Sequence, residues 1–242
     1  MMGCAPWSWD NWSWDNWCWG NRRSDNLSVM DIVNPSVERY MKDLAADDDE
    51  PVLLEMEALA GKEGFPIIGR LCGRTLEVLA RSVGARRIFE MGSGFGYSAY
   101  WFAKATGAVG EIHLTDTDSN NETKALDFLG RAGLDGPIDY HVAPAFQAFD
   151  EIDGDFDIVY CDIDKDGYPE AWERAKGRIR VGGLFICDNV LWSGKVTGEV
   201  EDDRPAWTNA IRDLNSAVAS DSSYRSTIVP TRDGVLVALR IA

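Results

Sequence analysis

From Arg87 to Cys187 short apolar runs alternate with helical segments, and this alternation constrains the fold more than any other feature of the chain. The runs Arg87 to Met91, Glu111 to Thr115, Ile138 to Val142, Phe156 to Cys161 and Leu184 to Cys187 read as buried parallel strands. Helices near 97–106, 120–133 and 168–178 join them, the crossover pattern of an α/β sheet with helices on both faces. A later amphipathic helix carries Trp207, Ala210, Ile211, Leu214 and Val218 on one side. Tyr224 to Val229 and Val235 to Ile241 then follow each other across a Pro230 to Gly234 turn, a hairpin that makes the end of the sheet antiparallel. Ahead of the first strand, three short helices are expected near 36–46, 51–61 and 69–83, the run Asp47 to Glu50 and Pro51 separating the first two. In the third, Leu76, Leu79, Ala80 and Val83 share a face, and Arg70, Arg74 and Arg81 form a solvated one. A single domain over residues 30–242 accounts for all of these elements.

Residues 1–29 stand apart. WSWDN, WSWDN and WCWGN repeat over residues 7–21 and hold six of the ten tryptophans. A period of five matches neither a helix nor a strand, so these rings cannot share one buried face. The segment reads as a low-complexity, disordered tail, with Met30 as the working start; an aromatic patch for sugars, bases or a partner is the functional alternative. It lacks the pattern of a signal peptide, and no stretch approaches a membrane span. Five widely spaced cysteines without a CxxC pair fit a reducing cytoplasm. Two histidines, His113 and His141, exclude a three-His zinc centre. The net charge of −16 opposes phosphate backbones and anionic membranes.

Two places carry chemistry. The first strand runs into Glu90-Met91-Gly92-Ser93-Gly94-Phe95-Gly96-Tyr97-Ser98 and then a helix. Such a turn lets the backbone approach a ligand, although the third glycine comes one residue early for a dinucleotide fingerprint. Asp116, about twenty residues beyond Gly96 at the tip of the second strand, is placed to accept ribose hydroxyls, with Asp118 the less suited neighbour. The second place is Asp162 at the end of the fourth strand with Asp188 and Asn189 at the end of the fifth. Strand ends converge on the crevice of an open parallel sheet, and two carboxylates plus an amide oxygen suit Mg²⁺, Ca²⁺ or Mn²⁺ better than zinc. Lys165, three residues beyond Asp162, would stand beside such a cation as a candidate base.

EMGSGFGYSA at Glu90 to Ala99, DIDKDGY at Asp162 to Tyr168 and GGLFICDNVLWSGKV at Gly182 to Val196 together resemble the cation-dependent O-methyltransferases, the family of caffeoyl-CoA and catechol O-methyltransferases. The resemblance covers residues 35–242 and implies a Rossmann-like class I methyltransferase fold with a seven-stranded, mostly parallel sheet. It implies that Glu90, Gly92 and Ser98 hold the methionine portion of S-adenosylmethionine, with Gly94, Gly96 and Asp162 also around the donor. Asp116 corresponds to the ribose acid and Ala145, in the loop after the third strand, to the adenine contact. Asp162, Asp188 and Asn189 correspond to the ligands of a divalent cation, Mg²⁺ foremost, Lys165 to the general base, and Trp192 to the loop over the acceptor. Ala143-Pro144-Ala145 departs from the Gly-Asp-Ala of many bacterial members.

The resemblance further implies a homodimer that methylates one hydroxyl of a catechol-like or hydroxycinnamoyl acceptor. A transfer-RNA hydroxyuridine methyltransferase is the alternative, opposed by the acidic charge. A nicotinamide oxidoreductase and a non-catalytic binding protein fit the motifs less well.

Overall fold

The computed structural model describes residues 30–45 and 50–242; the tryptophan repeat and most of the acidic run at 47–50 lie outside them. Three helices come first: α1 (Pro35–Leu44), α2 (Pro51–Glu63) and α3 (Gly69–Ser82). Then follow β1 (Arg87–Met91), α4 (Tyr97–Thr106), β2 (Glu111–Asp116), α5 (Ser119–Arg131), β3 (Ile138–Val142), α6 (Ala145–Glu151), β4 (Phe156–Cys161), α7 (Tyr168–Ala175), β5 (Ile179–Cys187), α8 (Pro205–Ser220), β6 (Tyr224–Val229) and β7 (Val235–Arg240). The seven strands form one sheet in the order β3-β2-β1-β4-β5-β7-β6. β1 to β5 are mutually parallel, β7 runs antiparallel to β5, and β6 pairs antiparallel with β7. The chain therefore inserts its last strand beside β5 and leaves β6 at the edge.

Alternation along the strands divides the core in two. Ile88, Ile112, Leu114, Ile158, Tyr160 and Ile186 face α2, α3, α4 and α5. Phe89, Met91, Val159, Cys161, Phe185 and Cys187 face α6, α7 and α8. Because both faces are covered, the central strands read as continuous apolar runs.

Two differences from the sequence reading have local causes. α6 has only seven residues, too few for a helical period to stand out, and it makes Ala145 a helix residue, not a loop residue. β5 starts five residues before Leu184, because the strand runs on through Gly182-Gly183, which hides the apolar pattern. The arginine-bearing face of α3 is, as expected, at the surface, with Arg70 paired to Glu57 at 2.8 Å and Arg81 to Glu77 at 2.8 Å. Among the described residues no helix is long and apolar enough to cross a membrane.

Candidate active site

At the carboxyl ends of β1, β2, β4 and β5, where the strand order reverses, a cleft of about 600 Å³ opens. This is the crevice an open α/β sheet offers to ligands. Its floor is the glycine turn. Gly92 has φ +83°, and a Cβ there would lie 2.6 Å from the Asp162 carbonyl oxygen, so only glycine lets β1 and β4 turn away side by side. Gly94 has φ +50°, and a Cβ would meet the Phe65 ring at 2.7 Å. The turn is fastened from both sides: the Gly92 N–H donates to Thr115 Oγ1 at 3.1 Å, and the Tyr140 hydroxyl donates to the Gly94 carbonyl at 2.6 Å. Gly96 closes the turn as the residue before α4, in the left-handed conformation.

Glu90 lies beneath this floor, fully buried, with the Ser98 hydroxyl donating to Oε1 and no hydrogen-bond partner among the described residues at Oε2. Burial pushes its carboxyl up to about 8. An unpartnered buried oxygen marks a place where a donor or a cation is missing. Asp116 lines the cleft at the tip of β2, its Oδ1 accepting from the Asp118 N–H at 2.8 Å. Asp118 caps α5 by accepting from the Asn120 N–H at 2.9 Å, so Asp116 is the acid that borders the cleft. Ala143 and Ala145 line the same end.

The opposite wall is electrostatic. Backbone bonds from Asp162 N to Met91 O at 2.9 Å and from Asp188 N to Cys161 O at 3.1 Å tie the strand tips together. Lys165, in a short 3₁₀ turn before α7 and buried, donates to Asn189 Oδ1 at 2.7 Å and to Asp162 Oδ1 at 3.2 Å. Asn189 adopts φ +59°, a conformation asparagine tolerates better than most residues. Asp188 is fully buried: Oδ2 accepts from Arg232 at 2.9 Å and from the Asn189 amide at 3.1 Å, and Oδ1 has no partner among the described residues. Burial, with the nearby Asp162 charge, pushes its carboxyl up to about 7.

Trp192 borders the cleft in a turn where it and Ser193 both have positive φ, and its ring lies 5.8 Å from that of Trp207. Asp116, Ala145, Asp162, Lys165, Asn189 and Trp192 thus all line one cavity with Gly92, Gly94 and Ser98. Glu90 and Asp188 stand behind its walls. Sequence reasoning missed Arg232 and Asp233, which reach the cleft from the β6–β7 turn, and Phe65, from the α2–α3 connection. Trp207, read as part of an apolar helix face, also borders the cleft; its ring stacks under Arg204 at 4.5 Å. A positive φ at Arg232 is the backbone sign of its special place, and nothing in the sequence announces it.

The sheet order and a glycine turn beside an acidic strand tip define a Rossmann-like methyltransferase. The chain belongs to the O-methyltransferase family, whose family model matches residues 43–241. It is 32% identical over 218 residues to caffeoyl-CoA O-methyltransferase 2 of Zea mays, covering 84% of this chain and 82% of that protein. It is 31% identical to the catechol O-methyltransferase of Niastella koreensis over 84% of this chain and 96% of that one. Among solved structures, the O-methyltransferase TomG of Streptomyces achromogenes, in complex with SAM, aligns with TM-score 0.75 and 27% identity over 86% of this chain and 96% of its own.

Proposed function

We propose that this O-methyltransferase uses S-adenosylmethionine and a divalent cation to methylate one hydroxyl of a vicinal diol on a small phenolic acceptor. The observation that carries the reading is the meeting of Asp162, Asn189 and Lys165 in the cleft floored by the glycine turn, with Asp188 directly behind. The donor set is all hard oxygen and fits Mg²⁺, Ca²⁺ or Mn²⁺, and the orphaned buried Asp188 Oδ1 supports a cation there. Asp162, Asp188 and Asn189 would hold it. When bound, the cation supplies positive charge that favours an ionised hydroxyl and open positions for both oxygens of a diol.

The chain's own groups do the rest. Glu90, Gly92, Gly94, Gly96, Ser98, Asp116 and Ala145 hold the donor along the β1–β2 side, and Asp162, at the tip of β4, meets it from across the cleft. Lys165 Nζ takes the proton of the attacking hydroxyl; the oxygen forms its bond to the methyl carbon while the carbon–sulfur pair returns to sulfur. Trp192 and Trp207 cover the ring of the acceptor and exclude water. Since the sulfonium is already a good leaving group, orientation of two bound reactants is the main contribution of the cleft.

Relatives named for caffeoyl-CoA and catechol support a catechol-like or hydroxycinnamoyl acceptor. The working form is proposed as a cytoplasmic homodimer, on the family resemblance and the absence of paired cysteine motifs. The test is methyl transfer to a panel of vicinal diols and matched single phenols with Mg²⁺. Turnover confined to the diols is the expected result; equal turnover of single phenols, or a preference for hydroxyuridine RNA, contradicts the acceptor class.

A further inference from the structure

Away from the cleft, the only two histidines of the chain meet. Parallel pairing of β2 and β3 sets His113 opposite Asp139, with His141 two residues further along β3. Alternation then points His113, Asp139 and His141, and Glu111 two residues before His113, to the same side of the sheet. His113 Nδ1 lies 3.1 Å from His141 Nε2 and 3.4 Å from Asp139 Oδ2, and the last two atoms are 3.5 Å apart. Those are the edges of a tetrahedral face: ligands about 2.0–2.1 Å from a central zinc ion stand about 3.3–3.4 Å from one another.

The outer contacts of His113 leave its Nδ1 turned toward the triangle. His113 Nε2 is 2.6 Å from Glu111 Oε1, and Arg87 Nε holds the same oxygen at 3.0 Å. An ionised carboxylate only accepts, so Nε2 carries the ring hydrogen that bonds Glu111, and Nδ1 is the nitrogen turned to His141 Nε2 and Asp139 Oδ2. His141 Nε2 and Asp139 Oδ2 stand beside it as the other two candidate ligand atoms, each on a residue that reaches solvent. A metal ion at the centre satisfies all three. The Glu111 contact is also the carboxylate–histidine support that orients a metal-bound imidazole. His113 is only 5% exposed and firmly held, whereas Asp139 and His141 reach solvent, so an ion has access.

We propose that His113, His141 and Asp139 form a second metal site, with Glu111 as its outer support, for a zinc-class divalent transition ion completed by water. Two imidazoles and one carboxylate select such an ion over Mg²⁺, unlike the all-oxygen set in the cleft. Bound there, it would link β2 to the edge strand β3.

The test is titration of the full chain with Zn²⁺ and with Co²⁺ in saturating Mg²⁺, which fills the cleft set. Expected are uptake of a single zinc ion, the strong visible absorption of tetrahedral Co²⁺ without a thiolate charge-transfer band, and a zinc-dependent rise in the unfolding midpoint. His141→Ala and Asp139→Ala, both at accessible positions, should lose all three while methyl transfer without zinc stays as in the parent. Glu111→Gln should weaken zinc about 10–100-fold. The proposal is overturned if the parent takes up no zinc, if the spectrum is that of thiolate or octahedral coordination, or if His141→Ala and Asp139→Ala bind zinc as the parent does.

Discussion

The two sides of the cleft are built by different means. On the β1–β2 side the backbone does the work: glycines at positive φ, amide and carbonyl groups fixed by Thr115 and Tyr140, and one buried carboxyl at Glu90. On the β4–β5 side charged side chains do it, with Asp162, Asp188, Lys165 and Arg232 held within a few contacts of one another. A surface made by backbone is rigid and, apart from the Glu90 carboxyl, carries no charge of its own, whereas one made by opposed charges can exchange partners, as binding and releasing a cation requires. The proposed function assigns donor binding to the first side and chemistry to the second.

Substitutions should therefore separate the two. The largest effect is expected from Lys165→Ala, which removes the proton acceptor. Turnover should fall on the order of 10²–10⁴-fold with donor affinity little changed, as rate measurements beside donor calorimetry will show. Loss of donor affinity in parallel would break the division. Gly92→Ala should act on the other side, combining an unfavourable φ with a Cβ against the Asp162 carbonyl. A loss of about 2–3 kcal/mol in denaturant unfolding is expected, with weakened donor binding.

The buried Glu90 gives a pH test. In the free protein its carboxyl stays protonated up to about 8, against an ordinary 4.5. The folded state thus holds a proton that the unfolded chain has released, and this group's contribution to stability falls as pH rises from about 4.5 to about 8. A cationic donor favours the ionised form, so donor affinity should rise with pH across that window, by up to about tenfold per unit, and level off above it. Glu90→Gln should flatten the profile. A smaller effect is expected at Arg232, whose charge competes for Asp188: Arg232→Gln should tighten Mg²⁺ on the order of tenfold or less in a cation titration.

How far the sequence revealed these two sides follows from the range of the contacts involved. The glycine turn, Asp116, Asp162 with Lys165, and Asp188-Asn189 all sit at strand ends, where local pattern and the crevice rule suffice to place them. Arg232 was hidden because its role depends on β7 inserting beside β5, a pairing between segments roughly fifty residues apart. Trp207 was misread because helical periodicity cannot distinguish a ring facing the core from one at the rim of a cleft. The histidine triangle was hidden for the same reason as Arg232: the register of β2 against β3 brings it together, and neither strand shows it alone.

The most direct measurement of the division between the two sides is chelation. Donor affinity by calorimetry and turnover on a catechol would be read on the same sample, before and after removal of divalent ions and after Mg²⁺ is restored. The predicted result is complete and reversible loss of turnover with donor binding intact. Turnover that survives chelation would contradict the cation-dependent chemistry assigned to Asp162, Asp188 and Asn189.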